Sequence, residues 1–242
     1  MTEFLGIIPA RYASRRFPGK PLAMLGDKPM IQWVYEGVSS FFDEVLVATD
    51  DERIFKTVKG FGGLVQMTSE EHKSGTDRCA EAAILYEQKT GHRFEYVVNI
   101  QGDEPLVEPA QLQTLTDCMR TPGTDIATLI RLVEDMKEVN SPHVVKVVVD
   151  RSFHALYFSR APIPFVRDPG EVSGNRAGRY YSHIGLYAFR REVLEKLVKL
   201  PPATLEQAES LEQLRWMEHG FRIRTAITLS LIHISEPTRL QV

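Results

Sequence analysis

Short apolar segments alternate with longer segments of helical pattern through residues 1–120 of the sequence. The apolar segments are FLGII, EVLVATD, LVQM and EYVVNI, and the segments between them include PMIQWVYEGVSSFF, DERIFKTVKGF and TDRCAEAAILYEQ. Parallel strands need crossover connections, and the crossover helices cover both faces of the sheet. The pattern therefore predicts an α/β fold with a doubly wound, mostly parallel sheet, whose ligands bind at the carboxyl ends of the strands.

The second half of the chain has a different pattern, in which strands follow one another closely. DIATLIRLV, VVKVVVD, ALYFSRAPIPF and HIGLYAFR predict strands that extend the sheet as a smaller, strand-rich substrate layer, and residues 160–180 predict a long surface loop. Two helices, REVLEKLVK and ESLEQLRWMEHG, should follow, the second ending at Gly220 before a last strand, FRIRTAIT. In the first helix, Met30, Trp33, Val34 and Val38 recur at helical spacing and predict its buried face.

Composition limits the classes of partner that the protein can have. The 242 residues are 43% hydrophobic, enough for a sizeable core, and the net charge of -3 gives no overall field that would attract nucleic acid or an anionic membrane. The two cysteines, Cys79 and Cys118, form no C-x-x-C pair, and neither a signal peptide nor a membrane-spanning apolar run is present. We expect a soluble cytoplasmic protein that binds any anion locally.

A basic loop follows the first strand and supplies the candidate anion site. In IIPARYASRRFPGKPL, Arg11, Arg15, Arg16 and Lys20 come directly after the strand, and Gly19 permits close approach of the backbone. The stretch contains neither a P-loop nor the G-x-G-x-x-G fingerprint, yet its charges and backbone amides suit a triphosphate. The alternative is an ordinary solvated basic loop.

Two further polar segments lie where they would face the same ligand. VVNIQGDEP ends a buried strand at Asp103, and a carboxylate opposite a triphosphate suits Mg²⁺, although Asp103 or Glu104 could instead cap the helix that begins near Pro109. HKSGTDRCAE could bind a nucleotide base through its short polar groups, or could be only a loop with a Ser or Thr helix cap.

Seven stretches, in order and spacing, resemble the 3-deoxy-manno-octulosonate (Kdo) cytidylyltransferase family. They are PARYASRRFPGKPL, HKSGTDR, NIQGDEP, VKVVVD, ALYFSRAPIP, HIGLYAFR and ESLEQLR, and the resemblance covers residues 4–228. It implies a nucleotidyltransferase fold over residues 1–228, usually dimeric and cytoplasmic. It also implies a reaction that converts CTP and Kdo into CMP-Kdo and pyrophosphate with Mg²⁺, for lipopolysaccharide synthesis.

The resemblance also implies roles for individual residues. Arg11, Arg15 and Lys20 match the triphosphate-binding residues, Ser74 and Arg78 match the segment near the cytosine, and Asp103 matches a metal ligand, so Arg11, Lys20 and Asp103 would carry the catalysis. Residues at the sugar-acid positions are Gln101, Arg160, His183, Tyr187, Glu212 and Gln213. An arginine can pair with a carboxylate, and the other side chains can hydrogen-bond hydroxyl groups. Each also has an ordinary structural reading. His183 could be a structural histidine whose ring nitrogens have hydrogen-bond partners, Tyr187 a core aromatic residue, and Glu212 and Gln213 solvated helix positions.

The chain departs from the family after FRIRTAIT. The family continues with a D-T-P-E-D-L-like motif whose first aspartate is its second metal ligand, whereas residues 229–242, LSLIHISEPTRLQV, resemble a translated sequencing-adapter read-through. We therefore expect weaker metal binding. Two alternatives stay open: a cytidylyltransferase for another sugar acid, such as a sialic acid, and a nucleotide-binding protein without turnover.

Overall fold

The computed structural model describes residues 3–13, 17–102, 104–167 and 180–228. The first half of the chain alternates strands and helices as predicted. Its elements are strand β1 (Phe4–Ala10), a 3-10 helix (Lys20–Leu22), strands β2 (Met24–Leu25) and β3 (Lys28–Pro29), helix α1 (Met30–Ser39), β4 (Val45–Thr49), α2 (Glu52–Gly60), β5 (Leu64–Met67), α3 (Gly75–Thr90), β6 (Tyr96–Asn99) and α4 (Pro109–Met119).

The second half contains the five predicted strands and more helix than expected. Its elements are β7 (Ile126–Leu132), α5 (Met136–Asn140), β8 (Lys146–Val149), β9 (Ala155–Ser159), β10 (Tyr181–Arg190), α6 (Arg191–Leu197), α7 (Thr204–Glu209), α8 (Glu212–Glu218) and β11 (Ile223–Ile227). The helix predicted over ESLEQLRWMEHG is shorter than expected and corresponds to α8, because Ser210 adopts a left-handed conformation (φ 52°) and separates Glu209, the last residue of α7, from α8. Of the predicted 160–180 loop, residues 161–167 form no helix or strand, and 168–179 lie outside the described residues.

Nine strands of the described residues form one mixed sheet. Seven follow the order β11-β7-β10-β6-β1-β4-β5, and β8 joins β10 to β9. The pairs β6–β1, β1–β4, β4–β5 and β7–β11 are parallel, whereas β10 is antiparallel to β6 and β7. The doubly wound, mostly parallel sheet is therefore confirmed.

Helices cover both faces of this sheet, and strand alternation divides β1 between two cores. Leu5 and Ile7 face the core that includes α3, α6 and α8, while Phe4 and Ile8 face the core that includes α1, α2 and α4. One predicted core residue is wrong: Trp33 is 38% exposed, because its Nε1 donates a hydrogen bond to the Leu25 carbonyl at the protein surface. Among the described helices, none combines the length and apolarity that crossing a membrane requires.

The strand order reverses at β1. The chain proceeds from β1 to β4 and β5 on one side, then crosses through α3 to β6 on the other side. In open α/β sheets, ligands bind at such a reversal, outside the carboxyl ends of the strands. Arg11 follows β1 and Gln101 follows β6 at this edge, so the fold brings the two polar segments predicted from the sequence to one end of the sheet.

Candidate active site

The basic loop leaves β1 at this edge with Arg11 exposed. The backbone N–H of Gly19 donates to the Tyr12 carbonyl (2.9 Å), and Gly19 has a left-handed φ of 73°. A Cβ on Gly19 would lie only 2.8 Å from the Tyr12 ring, so a side chain is excluded there by both strain and space. Lys20 then begins the 3-10 helix, whereas Arg15 and Arg16 lie outside the described residues.

Helix α2 supports the basic loop through a stacked arginine. The Arg53 guanidinium carbon lies 3.2 Å from the centre of the Tyr12 ring. Arg53 also pairs with Asp51 (2.6 Å), whose carboxylate caps α2 and has its pKa lowered, mainly by the hydrogen bond from the Arg53 side chain. Gly19 and Arg53 thus both contact Tyr12 and hold this part of the loop in place.

The segment HKSGTDR forms the start of α3. Ser74 is its N-cap: its Oγ accepts from the Asp77 N–H (3.1 Å), and the Asp77 carboxylate accepts from the Ser74 N–H (3.3 Å), which completes a capping box. The predicted helix cap is therefore confirmed. A Cβ on Gly75 would lie 3.2 Å from Pro9, so this glycine lets the helix start pack directly on the end of β1.

Arg78 lies one turn into α3 and is buried, with 3% of its surface exposed. Its guanidinium donates to the Asp50 carboxylate (2.5 Å) and to the Thr68 hydroxyl (2.5 Å). Sequence reasoning missed Asp50, although the signal was present: Asp50 is the first acidic residue after β4, as Asp103 is after β6. The Arg78 side chain ties α3 to the carboxyl ends of β4 and β5.

The segment after β6 passes close to β1. Gln101 Nε2 donates to the Gly185 carbonyl (3.2 Å), and a Cβ on Gly102 would lie 3.0 Å from the Pro9 carbonyl oxygen. Asp103 lies outside the described residues. The N-cap position of α4 is Glu108, so capping by Glu104, the alternative reading of this segment, is wrong.

A β-bulge in β10 positions His183. The register against β7 shifts between Ile184 and Tyr187, and Thr128 of β7 fills the irregularity. Its Oγ1 donates to the Leu186 carbonyl (2.7 Å) and lies 3.0 Å from Nε2 of His183. Thr128 was not among the residues singled out in the sequence.

Glu212, the first residue of α8, meets the start of α3. Its carboxylate accepts from the Thr76 hydroxyl (2.7 Å). Burial raises its pKa, and the hydrogen bonds from Thr76 and Ser74 oppose that shift only in part. Tyr187 is also buried, its hydroxyl has no hydrogen-bond partner, and burial with the nearby Glu212 raises its pKa well above the ordinary value. Gln213 is buried beside them.

Arg160 differs from the other sugar-acid candidates, because its guanidinium binds backbone carbonyls. Nε donates to the Glu209 carbonyl (2.8 Å), and the terminal nitrogens donate to the carbonyls of Pro142 (3.0 Å) and Ser210 (3.4 Å). These contacts join the end of β9 to the turn between α7 and α8. Arg160 is therefore attached to the turn that precedes Glu212.

Two groups of candidate residues thus occupy the same edge of the sheet. Ser74 and Glu212 converge on the start of α3, and Gln101 contacts β10 two residues beyond His183. Among the described residues, no cluster of three or more histidine, cysteine or acidic side chains forms a ready metal site.

Known proteins resemble this chain in sequence and in fold. The sequence profile described as "Cytidylyltransferase" matches residues 5–223. The 3-deoxy-manno-octulosonate cytidylyltransferase of Phocaeicola vulgatus is 52% identical to this chain, in an alignment that covers 98% of this chain and 94% of that protein. The 3-deoxy-manno-octulosonate cytidylyltransferase of Bacteroides thetaiotaomicron is also 52% identical, over 99% of this chain and 96% of that protein. The solved structure of a CMP:2-keto-3-deoxy-manno-octonic acid synthetase complexed with CTP superposes with a TM-score of 0.84 and 44% identity, covering 94% of this chain and 90% of that one. The chain belongs to the cytidylyltransferase family, among the 3-deoxy-manno-octulosonate cytidylyltransferases.

Proposed function

We propose that this protein transfers the cytidylyl group of CTP to Kdo, giving CMP-Kdo and pyrophosphate for lipopolysaccharide synthesis. The observation that carries the proposal is the meeting of a basic loop, the capped start of α3 and the polar residues of β10 and α8 at one edge of the sheet. That edge lies at the strand-order reversal, where a nucleotide and a second substrate can bind side by side.

The nucleotide belongs on the β1 side of this edge. Arg11, Arg15 and Lys20 bind the triphosphate, since charge-assisted hydrogen bonds are the strongest that a flexible polyanion can receive. Ser74 lies near the cytosine at the start of α3. Arg78 contributes through the loop that it holds, because its guanidinium is bonded to Asp50 and Thr68 within the protein.

Mg²⁺ is the metal proposed for this reaction, with Asp103 as its protein ligand. Mg²⁺ prefers oxygen ligands and commonly takes one or two carboxylates, completing its shell with water and phosphate oxygens. When bound, it neutralises charge on the phosphates. The family's second aspartate has no counterpart in residues 229–242, so metal affinity should be low.

Kdo belongs on the β10 side. Gln101, His183, Tyr187, Glu212 and Gln213 offer amide, imidazole, hydroxyl and carboxyl groups to a polyhydroxylated acid. Arg160 is the cation of this group, and a substrate carboxylate would share its guanidinium with the carbonyls that it already binds.

The mechanism that fits these residues is direct, in-line attack of the anomeric hydroxyl of Kdo on the α-phosphorus of CTP. Such transfers need reactants held in line and neutralisation of charge on the leaving pyrophosphate, but no covalent enzyme intermediate. Arg11, Arg15 and Lys20 supply positive charge at the phosphates. Residues from β10 and α8 orient the attacking sugar.

We also propose that the protein is a cytoplasmic homodimer. Both cysteines are free and buried, as is common in a reducing compartment. Strand β9 pairs with β8 alone among the described strands, and its Leu156 is 59% exposed, which suits burial against a second copy. Light scattering after size-exclusion chromatography tests this directly, and a monomeric mass at micromolar concentration would overturn the dimer.

Pyrophosphate release is the assay that tests the function. The chain is incubated with CTP and Mg²⁺ in three arms: without acceptor, with Kdo, and with a sialic acid. Release that depends on Kdo supports the proposal, and release that depends on sialic acid supports the other sugar-acid activity.

CTP binding without release in any arm would indicate a nucleotide-binding protein or a defective metal site. A variant with the family's C-terminal segment in place of residues 229–242 separates these two. We expect it to be more active at limiting Mg²⁺, and equal activity of the two forms would refute the assigned importance of the second carboxylate.

A further inference from the structure

The carboxylate of Glu209, the last residue of α7, is directed at the end of β9. One oxygen accepts from the Ser159 hydroxyl (2.5 Å) and the other from the backbone N–H of Arg160 (2.9 Å). Both donors are uncharged groups of the neighbouring strand. Glu209 therefore fixes the position of a backbone segment, and it lies within the ESLEQLR stretch without a role assigned to it so far.

Lys146 holds the backbone of Arg160 as well, through the carbonyl group of that residue. This lysine, the first residue of β8, has no exposed surface. Its Nζ donates to the carbonyls of Ser141 (2.7 Å), Val144 (2.6 Å) and Arg160 (2.5 Å), so each of its three protons has an acceptor. The N–H of Arg160 is thus bound by Glu209 and its carbonyl by Lys146, an arrangement that we name the Arg160 clamp.

The clamp is connected to both parts of the sugar-acid side. The Arg160 guanidinium binds the carbonyls of Glu209 and Ser210, directly before Leu211 and Glu212. On the other side, the carbonyl of Val145, next to Lys146, accepts from the His183 N–H (2.8 Å). A shift of the Arg160 backbone would therefore displace the start of α8 and the start of β10 together.

We propose that Lys146 and Glu209 are positioning residues for the sugar acid, which hold Glu212 and His183 in place through the Arg160 clamp. The inference rests on the proposed function for the identity of that substrate. It differs from a general structural role, because a loosened clamp should affect the sugar acid far more than the nucleotide. The nucleotide side, built on β1 and α3, makes none of the clamp's hydrogen bonds.

The kinetic test compares Glu209→Ala and Glu209→Gln with a matched control, Glu218→Ala. Glu218 also accepts a backbone hydrogen bond, from the Leu205 N–H (2.7 Å), but at the far end of α8. For Glu209→Ala we expect kcat/KM for Kdo to fall about 10- to 100-fold while KM for CTP stays within about twofold. Glu209→Gln retains an acceptor oxygen, so its kcat/KM for Kdo should lie between those of Glu209→Ala and the unmodified protein. Glu218→Ala should have the same kcat/KM for Kdo as the unmodified protein.

Equal losses for Kdo and CTP, or unchanged kinetics in a less stable Glu209→Ala protein, would overturn the inference. Lys146→Met should give the same pattern as Glu209→Ala, and if this variant does not fold, the Glu209 series still decides.

Hydrogen exchange separates a failure of this inference from a failure of the proposed function. If the unmodified protein releases no pyrophosphate with Kdo, the kinetic test has no signal, and exchange decides the clamp independently of the proposed function. The amides of Leu211 and Leu214, which donate to the carbonyls of Glu206 (3.2 Å) and Leu211 (3.2 Å), should then exchange at least about tenfold faster in Glu209→Ala than in Glu218→Ala, since local opening sets their protection. Identical exchange in the two variants would overturn the clamp.

Discussion

Removing the Asp50 carboxylate should leave a buried arginine without its anionic partner. Arg78 is 3% exposed, and the Asp50 side chain is 18% exposed at the other end of a 2.5 Å contact. In Asp50→Ala, the guanidinium would keep the Thr68 hydroxyl and the weaker contact to the Ser69 carbonyl (3.4 Å), but no charge of opposite sign.

The expected cost is large for a single substitution. Breaking a buried ion pair by removing one partner costs about 3–5 kcal/mol, and the partial exposure of Asp50 favours the lower end. At about 2–4 °C per kcal/mol for a chain of this size, a loss of about 3 kcal/mol lowers Tm by about 6–12 °C. Asp50→Asn should lose about half as much, since neutral hydrogen bonds are about half as strong as charge-assisted ones.

A double-mutant cycle measures the pair itself. Asp50→Ala, Arg78→Met and the double variant are unfolded in urea, and we expect a coupling free energy of about 2 kcal/mol. The matched control is Asp117→Ala, which removes a pair with Arg120 whose carboxylate is 60% exposed. That variant should lose less than about 1 kcal/mol, because exposed pairs contribute little.

The reasoning would be refuted by two results. One is an Asp50→Ala protein within about 1 kcal/mol of the unmodified protein. The other is a coupling free energy near zero, which would mean that the Arg78 charge is stabilised by groups other than Asp50.

Three further predictions concern the carboxyl edge. Burial raises the pKa of Glu212 above its ordinary 4.5, so the unmodified protein loses the stability that comes from holding this proton as pH rises through the raised value. Glu212→Gln has no such proton to lose, and in thermal unfolding it should therefore gain stability relative to the unmodified protein as pH rises from 4.5 towards 8. Gly102→Ala should cost about 1–3 kcal/mol in urea unfolding, since its Cβ would lie 3.0 Å from the Pro9 carbonyl oxygen. Thr128→Val should lower stability by about 1–3 kcal/mol and raise KM for the sugar acid, because the bulge carbonyls and His183 lose a hydroxyl partner.

Each of these has a result that would contradict it. For Glu212→Gln, the contrary result is a stability difference that does not change with pH. For Gly102→Ala, it is unchanged stability. For Thr128→Val, it is a loss no larger than that of Thr128→Ser, which keeps the hydroxyl.

Elements with a strong local signal could be predicted from the sequence. The strands of the first half are apolar runs bounded by polar residues and could be predicted, and a Ser or Thr cap in HKSGTDRCAE was one of two readings of that stretch, which the structure confirms at Ser74. The predictions that Trp33 is buried and that Ser210 is helical were wrong. An indole that bonds a carbonyl at the surface and a serine in a left-handed turn have no periodic pattern to reveal them.

The contacts that build the site depend on tertiary pairing, which one sequence does not display. Asp50 and Arg78 are 28 positions apart, and Thr128 and His183 are 55 positions apart. Resemblance to a family supplied the sugar-acid positions, but it gave no sign that Arg160 is engaged by backbone carbonyls. The antiparallel insertion of β10 between β6 and β7, which brings these residues together, became visible only in the folded chain.

That insertion also has a consequence for the order in which the site is made. Gln101 and its partner Gly185 are 84 positions apart, so a ribosome working at about 5–20 residues per second emits β10 some 4 to 17 s after the segment behind β6. Until β10 is synthesised, β6 has no strand beside it on the side away from β1. A nascent chain, or one cut before β10, therefore contains the basic loop well before the β10 residues proposed for the sugar acid are present.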